Sequence, residues 1–399
     1  MSLKKKIFFI TVLLYILYLT FPLFADIFHI PVWLPSMAAV AVMVYLYPKA
    51  FANKTFYWFL AYAMILGIYV LVGRPLTIGI GTVADSKKIF IEFAYILPTI
   101  GVFSVLYHLE DHELMMKMVK WTLLSLYVSF IVATPLMIRY NSLREALKEQ
   151  GENLTVTGLP GYSLMHAYTL FVPLMGYMWK VAKGGKKWIA LAGLLTLCVV
   201  VYYTFITTSL ILMVAVLLIT IFYSDKNYVL MWLLFVFGVL ILYILYEFGF
   251  FISLIDWIMP AFEGTAVENK LLDFKASMIQ GELTGGSLTV RQNRHNISWN
   301  SFFQNPFFGT SIVGGHSSLI DRFGGMGAMV GIPFLMIFVS FIHQIKRRYQ
   351  TRMAKTFFWI GIVIGFIFLY MKGNWGCEDW LVYFVLMPMG ILTFEKQST

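Results

Sequence analysis

The hydrophobic residues of the chain form long unbroken runs separated by polar segments, rather than an alternating pattern. Such runs predict membrane-spanning helices, which need about 20 apolar residues to cross the hydrocarbon core. Short alternating segments would instead predict an outer-membrane β-barrel, so that class is excluded. The stretch 188–223 is too long for one crossing and is divided at Thr207, Thr208 and Ser209. The predicted spans are then 7–22, 32–48, 55–73, 89–107, 119–138, 164–182, 188–206, 208–223, 228–247, 326–345, 356–371 and 380–394.

The composition agrees with this pattern. Of the 399 residues, 60% are hydrophobic and only 13% are charged, and the mean hydropathy is +0.78. Soluble domains usually contain about 45–50% apolar and about 25% charged residues. An ordinary soluble enzyme and a disordered chain are therefore excluded. We predict an all-α polytopic membrane protein with about 12 transmembrane helices.

The basic residues indicate how the spans are oriented. The formal net charge of +10 would suggest nucleic acid in a soluble protein, but here the lysines flank apolar segments. With the N-terminus inside, 18 of the 30 Lys and Arg residues fall in cytoplasmic segments, as the positive-inside rule predicts. We therefore expect both termini to be cytoplasmic, the first span to be uncleaved, and no nucleic-acid partner.

The spans divide the chain into five parts. Helices 1–5 occupy residues 1–138, a first large outer loop 139–163, helices 6–9 residues 164–247, a second large outer loop 248–325, and helices 10–12 with a cytoplasmic tail 326–399. Loops of this length are usually functional or disordered. The second begins with an amphipathic stretch, 250–262, which could lie in the membrane interface.

Four arginines in the outer loops are candidates for binding a diphosphate. Arg291 and Arg294 are three residues apart and would share one helix face, where two guanidinium groups suit that ligand. Their alternative role is pairing with Glu282 or with lipid headgroups. Arg139 and Arg144 belong to the first loop, and Arg139 is at the depth where a span meets the surface. The alternative for that loop is a short solvated helix.

A second set of candidates follows in the sequence Gly-Gly-His-Ser. Gly314 and Gly315 permit close approach of the backbone to a ligand. His316 can be neutral near pH 7 and can accept a proton from a hydroxyl group, although a lone histidine is more often structural. Asp321 would orient His316 or would simply pair with Arg322.

Other motifs predict structure rather than chemistry. The segment 305–309, Asn-Pro-Phe-Phe-Gly, predicts a turn that ends a helix, and Gly361 and Gly365 predict a close contact between helices. No phosphate-binding loop, dinucleotide fingerprint or cysteine-rich metal motif is present. Glu378 and Asp379 are adjacent and are expected to diverge on a helix. We therefore expect a reaction without metal or other cofactor.

The second loop resembles the O-antigen polymerase and ligase superfamily of bacterial inner-membrane glycosyltransferases. The resemblance is carried by Trp299, Asn305, Pro306, Gly309, Gly314, Gly315, His316, Ser317 and Asp321, and by a large outer loop before the last spans. It covers about 40 residues specifically. One departure is that Ser209 is followed by Leu210, where the family often has a Ser-Arg pair at the eighth span.

The resemblance implies a GT-C-like fold and metal-independent, inverting transfer from undecaprenyl diphosphate at the periplasmic face. Arg291 or Arg294 would hold the diphosphate, His316 would act as base or orient the acceptor hydroxyl, and Arg139 or Arg144 would match an arginine of the family's earlier loop. The turn residues, Ser317 and Arg322 would shape the acceptor site. Expected partners are the lipid-linked oligosaccharide, membrane lipid, a chain-length regulator and a flippase.

Three functions remain open on the sequence. A polymerase would join lipid-linked repeat units of O-antigen, capsule or exopolysaccharide, and the His-Ser pair favours it because ligases more often have His-Asn. An O-antigen ligase would transfer the finished chain to a lipid A core. A polysaccharide flippase or transporter would show internal symmetry, short loops and charges along a central path, which the sequence lacks.

Overall fold

A computed structural model describes residues 1–72, 76–78, 82–84, 86–139, 161–204, 206–224, 244–245, 249–264, 266–280, 287–371 and 375–398, apart from positions 22, 23, 25, 26, 28 and 29. Its helices are α1 (Leu3–Thr20), α2 (Trp33–Leu46), α3 (Lys54–Leu71), α4 (Ser86–Leu109), α5 (His112–Arg139), α6 (Tyr162–Val181), α7 (Gly185–Tyr203), α8 (Thr207–Phe222), α9 (Phe250–Ile258), α10 (Ala266–Gln280), α11 (Ser287–Gln304), α12 (Ile320–Lys346), α13 (Arg352–Met371), α14 (Cys377–Leu381) and α15 (Met387–Ser398). A π-helical turn, Val382–Leu386, joins α14 to α15, and 3-10 turns occupy Pro48–Phe51 and Met259–Phe262.

Helices occupy eleven of the twelve predicted spans, and the other, 228–247, lies outside the described residues except at 244–245. Among the described residues, six helical segments are long and apolar enough to cross a membrane: Lys54–Leu71, His112–Arg139, Gly185–Tyr203, Ile320–Lys346, Arg352–Met371 and Cys377–Gln397. Together with shorter apolar helices, such as α2 and α8, they indicate a membrane-embedded helical protein.

The segment 248–325, predicted as one large outer loop, is largely helical in the described residues. It contains α9, α10 and α11, and its amphipathic start is helical, as α9 and the following 3-10 turn. Of the first predicted loop, 139–163, residues 140–160 lie outside the described part of the chain.

Contacts between connecting segments define two ends of the helix bundle. At the first, the Lys5 Nζ of α1 lies 2.5 Å from the Asp111 Oδ2 that precedes α5. Arg348, after α12, donates to Glu110 at 2.6 Å, and Glu395 of α15 accepts hydrogen bonds from the segment after Arg348. Both chain ends and these connections therefore meet at one end, which we call the basic end.

The opposite end of the bundle, which we call the site end, is where α6, α12 and α14 begin and α3 and α13 finish. The N–H of Leu319, just before α12, donates to the carbonyl of Leu369 in α13 at 3.1 Å. The hydroxyl of Tyr69 in α3 donates to the Met326 carbonyl of α12 at 3.0 Å. Arg139, at the far end of α5 from Asp111, also belongs to the site end because a helix rises about 1.5 Å per residue.

Aromatic rings fill the middle of the bundle between α12 and the segment formed by α14 and the π-helical turn. The Phe341 and Phe384 ring centroids are 4.4 Å apart, and those of Phe338 and Trp380 are 5.5 Å apart. The predicted close contact of α13 is confirmed, since a Cβ on Gly365 would lie 2.1 Å from the Tyr383 ring. Gly361 meets Met387 in the same way. These two glycines of α13 thus let the π-helical turn and α15 approach it closely.

A three-stranded sheet, which the sequence pattern did not predict, lies at the site end. Strands β1 (Leu76–Ile78) and β2 (Thr82–Ala84) form an antiparallel hairpin, and β3 (Ile312–Val313) pairs in parallel with β1. This sheet joins the connection between α3 and α4 to the segment that immediately precedes Gly314. The N-terminal part of the chain therefore helps to fix the candidate site.

The helix α12 is broken at Gly327, whose φ of 68° and ψ of −172° are not helical. Its first part begins at Ile320, six residues before the predicted span, and its second part begins at Ala328, close to the predicted start at 326. The amide of Ala328 donates to the Pro306 carbonyl at 2.7 Å, so a partner outside the helix replaces the interrupted helical bond. The break creates a polar backbone surface beside the turn after α11.

Candidate functional site

The candidate site is built from α11, the segment 305–319 and the first turn of α12. At its centre, the hydroxyl of Ser298 donates to Asp321 Oδ1 at 2.6 Å and accepts the N–H of Gly314 at 2.8 Å. The other oxygen, Oδ2, accepts the N–H of Ser317 at 3.0 Å. A carboxylate in the first turn of a helix is well placed to accept such bonds. Ser298 and Asp321 therefore fix the segment that carries His316 against α11.

The two glycines before His316 allow this segment to lie close against α11. A Cβ on Gly314 would lie 2.0 Å from the carbonyl oxygen of Arg294, so only glycine permits the segment to lie so close to α11. Gly315 has a φ of +70°, which also favours glycine. The sequence predicted a close backbone approach to a ligand at this pair. At Gly314 the structure shows instead an approach to the protein's own helix.

Two histidines meet at this segment. His316 is half-buried, and His295 of α11, which sequence reasoning missed, hydrogen-bonds to the backbone of His316. The His295 and Tyr370 ring centroids are 5.0 Å apart. Burial lowers the pKa of His295, with the charge of Arg291 acting in the same direction and the charge of Asp321 opposing it. His295 is therefore neutral near pH 7.

The predicted arginines differ in placement. Arg291 is half-buried and Arg294 exposed on α11, so the structure brings both to the helix that supports His316. Arg139 is exposed at the site end, on a helix whose main packing partners are α1, α7 and α15. Arg144 lies outside the described residues. One helix thus supplies two cations to the site, and Arg139 stands at the same end of the bundle.

Arg322 is a structural residue. Its side chain is 5% exposed, donates from Nε to the Tyr62 hydroxyl at 3.0 Å and lies 4.0 Å from the centroid of the Phe334 ring. It also donates to the carbonyl of Ser318. Asp321 thus hydrogen-bonds to α11 and to the segment before α12, and Arg322 hydrogen-bonds to α3 and to the same segment. Arg322 therefore ties α12 to α3, and its predicted role in shaping an acceptor site stays a prediction.

The turn predicted after α11 is confirmed. Asn305 Oδ1 accepts the N–H of Phe308 at 3.2 Å, and the Asn305 carbonyl accepts the N–H of Gly309 at 2.8 Å. Gly309 has a φ of +66°, and a Cβ there would lie 2.4 Å from the backbone of Gly325. Pro306 contributes through its carbonyl, which accepts the N–H of Ala328. These residues hold the turn on the broken part of α12.

Ser317 connects the site to α13. Its hydroxyl accepts the N–H of Ile320 at 3.1 Å and donates to the carbonyl of Leu369 at 3.3 Å. A serine in this position satisfies an N–H at the start of α12 that has no helical partner. The side chain is fully buried, so Ser317 caps a helix and anchors the segment that carries His316.

A second polar cluster at the site end was not predicted. The hydroxyl of Ser163 lies 2.7 Å from Glu378 Oε2 and 3.0 Å from Asp379 Oδ2, and the N–H of Gly376 donates to the same Asp379 oxygen at 3.2 Å. The expectation that these two carboxyl groups diverge was wrong, because Ser163 lies between them. A hydroxyl group donates only one hydrogen bond. The two carboxyl groups therefore compete for the Ser163 hydrogen unless one of them carries a proton.

A sequence signal for the missed residues of α11 does exist. Arg291, His295 and Ser298 are spaced i, i+4 and i+7, which places them on one face of a helix. No comparable signal marks Ser163 and Glu378, which are 215 residues apart. Among the described residues, no group of three His, Cys, Asp or Glu side chains is placed to hold a metal ion.

No protein-family model matches this chain, and no curated protein matches it. A proposal for its function is therefore based on the site geometry, the apolar helices and the short sequence pattern.

Proposed function

We propose that the protein is a glycosyltransferase that polymerises undecaprenyl-diphosphate-linked repeat units of a surface polysaccharide at the periplasmic face of the bacterial inner membrane. The observation that carries this proposal is that one helix, α11, carries the two candidate arginines and also supports the segment with His316. Arg291 and Arg294 lie on α11, and Ser298 of the same helix fixes the segment that carries His316. The cations proposed for the diphosphate therefore lie on the helix that fixes the segment carrying the imidazole proposed as the proton acceptor.

The position of the site supports an amphiphilic substrate. It lies at one end of a bundle whose long helices are apolar, so a polyprenyl tail can remain in the lipid while its diphosphate reaches the polar surface. A twelve-span, GT-C-like arrangement with both termini cytoplasmic and two large periplasmic loops is part of the proposal. Arg139, exposed at the site end, is a further candidate contact for the diphosphate.

In the proposed reaction, an acceptor hydroxyl attacks the anomeric carbon of the lipid-linked sugar with inversion. The bond from that carbon to the diphosphate oxygen breaks, and the diphosphate leaves with the electron pair. Arg291 and Arg294 stabilise its charge, and His316 accepts the hydroxyl proton. Asp321 is a positioning residue because it accepts a backbone N–H of the segment that carries His316. The guanidinium groups supply the positive charge, so the proposal includes no metal or other cofactor.

The test is reconstitution of the purified protein in liposomes with lipid-linked repeat units that accumulate in a strain lacking it. A ladder of longer chains on a gel is the expected product. His316→Ala and Arg291→Ala should each lower the yield by about 100-fold or more. His108→Ala and Arg347→Ala, at exposed positions of the basic end, serve as controls and should leave it unchanged. Full activity of both site variants would refute the proposed mechanism.

The same assay distinguishes the ligase alternative. A ligase would give no product from repeat units alone and would transfer a preformed chain when lipid A core is added. That result would refute the polymerase reaction while retaining the diphosphate chemistry.

One observation favours a second candidate of another class, a proton-coupled polysaccharide transporter. Glu378 and Asp379 are held on Ser163 inside the bundle, and Asp379 is fully buried. Transporters use buried ionisable groups of this kind, and Glu378 and Asp379 directly precede the predicted span 380–394. Movement of lipid-linked sugar across the liposome membrane without new glycosidic bonds would select this candidate.

A further inference from the structure

A groove opens on the outer surface of the bundle at the basic end, between α5, α6, α7 and the end of α15. Its volume is about 900 Å³, and its walls include Leu123, Tyr127, Met175, Ile189 and Phe394. We call it the α7 groove. Ile189 is 74% exposed, and exposed apolar residues continue along α7 beyond the groove, so this surface faces lipid in a membrane-embedded protein.

Two cations stand at one end of the α7 groove. Lys183 and Lys186 line it, and none of the lining residues that the structure describes is acidic. Both lysines are exposed, and no carboxylate of the described residues pairs with them. The neighbouring Lys180 differs, because its Nζ donates to the carbonyls at the end of α8, at 3.1 Å and 3.2 Å. The groove therefore presents two positive charges that no carboxylate of the described residues neutralises.

The direction of the groove fixes the shape of its occupant. Trp188, which is 73% exposed beside the lysines, is of the type enriched at the membrane–water interface. From Lys186 to Thr196, also a lining residue, the helix rises about 15 Å toward the middle of the bundle. An occupant therefore needs an anionic group at the interface and an apolar part extending into the hydrocarbon region.

We propose that the α7 groove binds an anionic phospholipid of the surrounding bilayer. Its phosphate contacts Lys183 and Lys186, and an acyl chain lies along the apolar walls. Basic pockets between membrane helices bind lipid headgroups in this way, and the volume is within the range of about 300–1,000 Å³ that is typical of ligand pockets. This site lies at the opposite end of the bundle from His316, so the inference does not depend on the proposed reaction.

Native mass spectrometry of the full-length protein, delipidated and then titrated with phosphatidylglycerol or phosphatidylcholine of identical chains, tests the headgroup contact. The wild type should retain phosphatidylglycerol preferentially. The double variant Lys183→Gln/Lys186→Gln should weaken that binding by about tenfold or more and leave phosphatidylcholine binding unchanged. The matched control, Lys49→Gln/Lys54→Gln, removes two exposed charges of the same end outside the groove. Equal binding by the two double variants would overturn the proposal.

A second measurement tests the apolar walls. Ala192→Trp should fill the groove and weaken binding of both lipids, whereas Val199→Trp, an exposed position of α7 outside the groove, should not. A photocrosslinker at Ala192 should label the acyl chain. Labelling of residues 225–243 of the same chain, or of a second polypeptide, would assign the groove to that occupant and refute the lipid site.

Discussion

The two parts of α12 on either side of Gly327 are held by different kinds of contact. Before the break, the carbonyls of Gly324 and Gly325 accept backbone N–H groups from the turn after α11, and Asp321 bonds to Ser298. After the break, rings such as Phe334 and Phe338 pack among other rings. Hydrogen bonds have fixed directions, whereas apolar packing tolerates changes that conserve volume. The first part therefore positions groups precisely, and the second part stabilises the bundle.

The largest expected change in stability is that of Gly327→Ala, which adds a Cβ among the backbone contacts that hold the first part of α12. The φ of 68° and ψ of −172° at Gly327 belong to a region that is essentially restricted to glycine, where an alanine costs about 1–3 kcal/mol. The new Cβ would also lie 2.2 Å from the Phe307 carbonyl oxygen, a backbone atom that cannot yield easily. We expect the free energy of unfolding, measured by thermal unfolding, to fall by more than about 4 kcal/mol.

The control for this variant is Gly264→Ala. Gly264 has a φ of +74° but nothing within 4 Å of the added Cβ, so it carries only the cost of the backbone conformation. Equal unfolding temperatures of the two variants would show that the close contact at Gly327 contributes nothing.

The next effect concerns the second part of α12. Phe338→Ala should lower the free energy of unfolding by about 3–5 kcal/mol because it leaves a cavity among buried rings. Phe338→Leu should cost much less. We expect both purified variants, below their unfolding temperatures, to retain the specific activity of the wild type. Lost activity in a folded Phe338→Leu protein would contradict the division between positioning and packing.

A smaller change in stability, with a larger change in activity, is expected for Ser298→Ala. Removing the hydroxyl deprives both the Gly314 N–H and Asp321 of a partner, which should cost about 1–3 kcal/mol. Because the segment carrying His316 is no longer fixed, polymer yield should fall while lipid-linked substrate still binds. Ser301→Ala, at a buried serine of the same helix, is the control and should retain the yield.

The smallest expected effect is a pH dependence caused by His295. Burial lowers its pKa in the folded protein below the ordinary value of 6.5, so the unfolded chain binds more protons as the pH falls below that value. Folding stability should therefore decline as the pH falls from above 6.5 toward the folded pKa. The drop in unfolding temperature between pH 8 and pH 5.5 should be smaller in His295→Gln; an identical drop would exclude this contribution.

The helices in the predicted spans were predictable because apolar runs in lipid must satisfy their backbone hydrogen bonds internally, whereas α10 and α11 lie in a segment predicted as a loop. The turn at Asn305 and the close contact at Gly365 were also readable from local residue types. The bridge from Ser298 to Asp321, the pairing of β1 with β3 and the contact of Ser163 with Glu378 were not. Each contact joins residues that are distant in sequence, and the periodic pattern of hydrophobic residues predicts only local structure.

The π-helical turn Val382–Leu386 has a consequence for comparing this chain with others. Such a turn holds one residue more than a regular helical turn, and each residue of a helix advances about 100° around its axis. Residues after Leu386 therefore occupy faces one position out of phase with a regular helix begun at Cys377. A relative that lacks one residue here could keep the same packing on both sides, so an alignment should place a single-residue gap within this turn.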